Sequence, residues 1–193
     1  MSSVLAAERS KVSSGNSMRK LKEEVVEKPK GPAPVTENEI IEFVTGLPGA
    51  VAVTASEHNG APEVAWGDTF FFYDPHDDAA DRRHPFASIV INDYDGFDTF
   101  SRLNRPGIFR LNIGVGRVGF EELIGHPPAA HSDHRAGIDY AVTDRILPHP
   151  IYATQAWISI LNPGDATGER VRSLLREAHS RSMKRHRPRT AKA

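Results

Sequence analysis

One carboxylate stands where an apolar side chain belongs. Residues 63–73 alternate like a strand, and on that reading Asp68 shares a face with Val64, Trp66, Phe70 and Phe72. A carboxylate there must be paired, hydrogen-bonded or raised in pKa, unless a bulge at Gly67 turns it to solvent. Arg110 and Asn112 project together from a second alternating run, 109–115, and are the expected partners of Asp68. With Trp66, Tyr152 and Trp157 as an aromatic wall, that polar floor has the make-up of a small-ligand site. His149 lies between Pro148 and Pro150 and next to Tyr152. Prolines fix the backbone, and a fixed imidazole is what a general base requires. No serine nucleophile elbow or paired carboxylate accompanies it, so a packed, hydrogen-bonded histidine is the preferred reading.

Other patterns are weaker. Gly114-Val115-Gly116-Arg117-Val118-Gly119 has G-x-G-x-x-G spacing between a strand and a helix, with Asp139 twenty residues past Gly119. Residues 129–137 are too polar to form the second strand of a βαβ unit, so the glycines read as a turn leaving the strand. His131, Asp133 and His134, and the loop Asp74-Pro75-His76-Asp77-Asp78, offer imidazole and carboxylate that suit zinc or a related ion. Both segments read as polar loops without rigid supporting partners, so no metal is assigned and no cofactor is implied. The run Arg176, Arg181, Lys184, Arg185, Arg187, Arg189 and Lys192 contains no aromatic residue. It offers phosphate contacts without base stacking, or a tail that folds back on an acidic body.

That body is acidic because charge is sorted by position. From Val35 to Glu169 there is no lysine, and twenty Asp/Glu face eight Arg, a balance of −12. The first 34 residues contribute +3 and Arg170 to Ala193 contributes +8, which sums to the formal net charge of −1. A polyanion would be repelled by the body and met by the ends, so weak nucleic-acid contact is expected only from the C-terminal tail. The absence of cysteine excludes a disulfide framework, a thiolate metal site and a cysteine nucleophile. No apolar run approaches the roughly 20 residues of a membrane span, and Val4-Leu5-Ala6-Ala7 is too short for a signal-peptide core. The expectation is a cytoplasmic protein without membrane contact.

The elements that must position these residues follow from pattern. Residues 1–35 read as a disordered tail, 36–183 as one α+β domain, and 184–193 as a basic tail. Thr36 and Glu39 form a capping-box pair ahead of Ile40, Ile41, Phe43 and Val44, with Gly46 and Pro48 as the stop. Strands are expected over 51–55, 63–73, 86–91, 109–115 and 157–161, with a turn at His58-Asn59-Gly60. Short helices are expected over 97–103 and 118–124. A final helix from Gly168 carries Val171, Leu174, Leu175 and Ala178 on one face. Helix, run of strands, helix is the order of an antiparallel sheet packed against N- and C-terminal helices.

Three runs carry a resemblance. They are 65–75 (AWGDTFFFYDP), 105–115 (RPGIFRLNIGV), and Pro148-His149-Pro150-Ile151-Tyr152 with Trp157 and Leu161-Asn162-Pro163. Together they resemble an uncharacterised actinobacterial family built on a domain of unknown function, over roughly residues 36–179. The C-terminal third, a Trp-bearing strand, a turn and a closing helix, is similar to the MmcQ/YjbR group. That likeness implies a frataxin-like α+β fold and a suggested capacity to bind DNA. The lysine-free body departs from the group.

The expected function is a non-catalytic binding or regulatory module for a small molecule or protein partner. Trp66, Asp68, Arg110, Asn112, His149, Tyr152 and Trp157 form the expected ligand surface. One alternative is a nucleic-acid-associated protein acting through its basic ends; another is a small acid–base enzyme using His149 or Asp68.

Overall fold

The computed structural model describes residues 35–78, 82 and 84–186. Residues 1–34 of the tail expected over 1–35, and residues 187–193 of the basic tail expected over 184–193, lie outside the described residues. Val35 is already buried, and its N–H donates to the Pro163 carbonyl at 2.9 Å. Helix α1 (Glu37–Thr45) starts as its capping box predicts: the Glu39 N–H donates to the Thr36 hydroxyl at 3.2 Å, and the Thr36 N–H to the Glu39 carboxylate at 2.8 Å.

Six strands follow, β1 (Ala50–Thr54), β2 (Thr69–Tyr73), β3 (Ala87–Val90), β4 (Arg110–Gly114), β5 (Leu147–Pro148) and β6 (Trp157–Leu161). They form one antiparallel sheet in the order β1-β2-β3-β4-β6-β5. Alternation assigns its two faces. Phe71, Ala87, Ile89, Leu111, Ile113, Ile158 and Ile160 point to one side. There they meet Ile40 and Val44 of α1 and Val171, Leu174, Leu175 and Ala178 of α4 (Gly168–Arg185) in a single core. Each fully buried large side chain contributes about 1.5–3 kcal/mol, so this face holds the domain together. Ser88, Val90, Arg110, Asn112, Ser159 and Leu161 take the opposite side, and they too are buried. Residues of the β3–β4 connection cover part of that second face: Leu103, Tyr94 and Ile108 pack with Val90 and Leu161, and Asp98 and Ser101 bond Arg110.

Two further helices pack beside the sheet, α2 (Gly116–Ile124) and the single turn α3 (His131–His134). Ahead of α4, the Asp144 carboxylate gathers the N–H groups of Gly164, Ala166 and Thr167 and the Thr167 hydroxyl at 2.6–3.1 Å. Burial alone would raise this carboxyl, but the Thr167 hydroxyl and the three amides bring it below the usual range.

Several expectations are corrected. The run 63–73 is a strand only from Thr69; Glu63–Ala65 is a 3-10 turn, and Gly67 at φ +91° resets the chain between them. No helix forms over 97–103. Gly96 and Arg102 have positive φ, and Asp98 and Ser101 spend their side chains on Arg110 rather than on a helix. The histidine loop contains α3 and a preceding 3-10 turn, Pro128–Ala130. Strand β5 carries no sequence signal, because two residues give no periodicity.

Candidate functional site

The second face of the sheet carries a row of polar residues. Asn112 in the middle of β4 lies directly opposite Ser88 on β3 and Ser159 on β6. Its amide donates to the Ser88 hydroxyl at 3.2 Å, and the Ser159 hydroxyl donates to the Pro148 carbonyl at 3.4 Å. Two residues along β4, Arg110 is 3 % exposed and donates to Asp98 Oδ2 at 2.7 Å and to the Ser101 hydroxyl at 2.9 Å. Asp68 is wholly buried; it accepts the Ile91 N–H at 2.9 Å and a hydrogen bond from the Tyr94 phenol. Burial raises the Asp68 carboxyl, although Tyr94, Ile91 and the charge of Arg110 pull the other way. The Tyr94 phenol is pushed up in turn by burial and by Asp68, which keeps it a donor.

The expected Asp68–Arg110 pair is therefore not a contact. Each has its own partner, and both partners come from one short turn, Tyr94-Asp95-Gly96-Phe97-Asp98, closed by a Tyr94–Asp98 bridge with Gly96 at φ +74°. Tyr94, Asp98, Ser88, Ser101 and Ser159 escaped the sequence reading. The Asp-Gly pair in residues 93–98 signals a turn, but no local pattern says which strand its side chains reach.

His149 joins the cluster from the β5–β6 connection. It is 2 % exposed, and its Nδ1 accepts the N–H groups of Ile151 at 3.0 Å and Tyr152 at 3.1 Å. Those two bonds place the imidazole proton on Nε2. Burial, and after it the charge of Arg110, holds the ring well below the ordinary histidine value. The nitrogen a general base would use is thus occupied by the backbone. The Tyr152 ring packs 4.9 Å from His149 and 6.4 Å from Phe97, both measured between centroids. Tyr152 and Phe97 reach solvent.

Trp66 and Trp157 do not join this wall. The Trp66 indole donates to Ala61 within the β1–β2 connection, at the Asp68 end of the sheet. Trp157 pairs with Gly114 at the other end and lines a separate cleft against α4. Gly114 and Gly116 also line that cleft, and β4 beside them runs antiparallel to both neighbours, which removes the βαβ context of the glycine motif.

Three polar atoms of the cluster are shut off from solvent with no hydrogen-bond partner among the described residues: Asp98 Oδ1, Arg110 Nε and Asn112 Oδ1. Buried polar atoms are almost always satisfied. Here three such atoms fall within one cluster over the second face of the sheet. Among the described residues, no set of three or more His, Cys, Asp or Glu is placed to hold a metal ion. His126 stacks on His134 at 4.3 Å and on His131 at 5.4 Å, so the rings lie parallel instead of converging. No helix among the described residues is long and apolar enough to cross a membrane.

A family model of unknown function, DUF6194, matches residues 35–191, which takes in the whole sheet, the polar row and all four helices. The chain belongs to the DUF6194 family. Comparison with curated proteins and with solved structures brought no match. Membership of the DUF6194 family brings no reaction with it.

The two shifted histidines of this DUF6194 domain set a pH dependence. His149, and His131 through burial and its neighbours His126, Arg135 and His134, stay neutral in the native state below the pH at which an unfolded histidine protonates. The unfolded chain then binds more protons, so these groups make stability fall as pH drops below about 6.5. The raised Asp68 acts with the opposite sign, adding stability as pH falls through its native value. His149→Asn separates these effects, because an amide oxygen can accept the same two N–H groups and does not titrate. Urea midpoints followed downward from neutral pH are expected to fall less steeply for His149→Asn than for the parent. Parallel curves would assign the dependence elsewhere.

Proposed function

We propose that this chain is a non-catalytic binding module whose ligand is a small, uncharged or zwitterionic molecule rich in hydroxyl or amide groups. The observation that carries the reading is the trio of unpartnered buried atoms on the second face of the sheet. Arg110 Nε requires an acceptor, while Asp98 Oδ1 and Asn112 Oδ1 require donors. Because Asp98 already balances Arg110, the site selects against a strong net charge. Phe97 and Tyr152, aromatic and part exposed above His149, supply the apolar wall such sites need. Against acid–base catalysis stands the occupied Nδ1 of His149. We also propose a likeness to the MmcQ/YjbR arrangement, weaker than that to its own family, and an actinobacterial, cytoplasmic setting; a sheet covered on one face by helices from both ends of the domain supports the first of these.

The test rests on Asn112→Leu. If Asn112 serves a ligand, its free acceptor is a cost in the empty protein, and an isosteric apolar side chain leaves stability unchanged or improves it. The same variant should lose the thermal shifts that hydroxyl- and amide-rich compounds give the parent in a screen. A loss of about 1–3 kcal/mol on Asn112→Leu would show that Asn112 serves the fold through Ser88, and would end the proposal.

A further inference from the structure

The cleft at the far end of β4 has a different chemistry from the polar row. Its volume is about 560 Å³, within the range of small-molecule sites. Arg181 and Arg185 from α4 line it, together with His84 and His186, and among the described residues no carboxylate lines it. Both guanidiniums come from the segment 170–193, which carries +8, and here that basic segment meets the sheet of the acidic body. Arg181 is half-buried. It donates to the Gly114 carbonyl at 2.8 Å and reaches the Glu177 carboxylate only at 4.0 Å. Burial lowers the Arg181 pKa; the Glu177 charge opposes this and the Arg185 charge adds to it. Arg185 has no ion pair among the described residues, and the enclosed Nε2 of His186 has no hydrogen-bond partner there. Helix α2 begins at Gly116 in the same lining, so the positive end of its dipole borders the cleft. Tyr73, Phe86 and Trp157 supply flat apolar walls.

We propose that this cleft binds a small phosphate-bearing molecule with a flat ring, of nucleotide size. Two guanidiniums offer paired donors that match phosphate oxygens, and the aromatic walls take the ring. The glycines matter here through their backbone and not as a dinucleotide fingerprint. Gly116 holds φ +73°, a conformation that any side chain would strain, and the turn it makes brings the start of α2 to the cleft.

The full chain is titrated with adenosine 5′-diphosphate, pyrophosphate, adenosine and a short single-stranded oligodeoxynucleotide, followed by calorimetry and by amide shifts. The diphosphate nucleotide should bind most tightly and move the amides of Gly114, Gly116, Trp157 and Arg181. Pyrophosphate should move the same amides more weakly, and adenosine should bind least. Arg181→Gln and Arg185→Gln should each weaken nucleotide binding by about tenfold or more, the loss of a charge-assisted bond. Arg185 is exposed, so that variant tests the site even if Arg181→Gln unfolds. Silence of these amides toward both phosphates, or unchanged affinity in Arg185→Gln, overturns the proposal. Tighter, steeply salt-dependent binding of the oligonucleotide through the same residues overturns the small-molecule assignment in favour of nucleic acid.

Discussion

Arg110→Met will destabilise the fold by about 3–5 kcal/mol, because it leaves the Asp98 carboxylate buried without its cation. Asp98 is 4 % exposed and Arg110 3 %, so water cannot take over for either. Asp98→Leu should cost a similar amount by stranding the guanidinium. The double variant Asp98→Leu/Arg110→Met should regain most of the loss, since the desolvation of both ions disappears together. Urea denaturation of the four proteins gives the coupling as a cycle. A second cycle between Asp68 and Arg110, which share no hydrogen bond, should yield a much smaller term. Additive losses at Asp98 and Arg110 would mean that their 2.7 Å contact carries no stability.

Phe120→Ala is expected to cost a comparable 3–5 kcal/mol. Phe120 is the sole buried side chain of α2, fully enclosed, and its ring meets His126 and His131 edge-on at 5.7 and 6.3 Å. Removing it takes away the anchor of the helix and one wall of the histidine stack at once. Phe120→Leu keeps most of the volume and should cost less than about 1.5 kcal/mol. The denaturant midpoints of the two variants test this. The ring signals of His131 add a second check, because water admitted by the alanine should return its pKa toward the ordinary value. A loss below about 1 kcal/mol for alanine would show that α2 is held by something other than this ring.

Much of the fold was legible because its signals are local. The Thr36/Glu39 box, the alternation of 109–115 and 157–161, and the 171, 174, 175, 178 stripe each fix an element without reference to the rest of the chain. The oddity of Asp68, Arg110, Asn112 and His149 was also visible, and the structure buries all four. Their partners were not. Arg110 reaches back twelve residues to Asp98 and Asp68 forward twenty-six to Tyr94, across a turn whose composition reads only as loop. The expected helix over 97–103 failed for the same reason, since tertiary hydrogen bonds outweigh weak local propensity. The two tryptophans were assembled by type rather than by place. Register sets Trp157 at one end of β6 and Asp68 beyond the opposite end of β2, a separation that appears only once the strands are paired.

The Tyr94–Asp98 turn ties two buried charges to a single hinge. Lifting it would strip Asp68 of its phenol and Arg110 of its carboxylate in the same movement, so neither contact can be released separately at low cost. A loop that would otherwise fray independently is thereby joined to β2 and β4 as one cooperative unit.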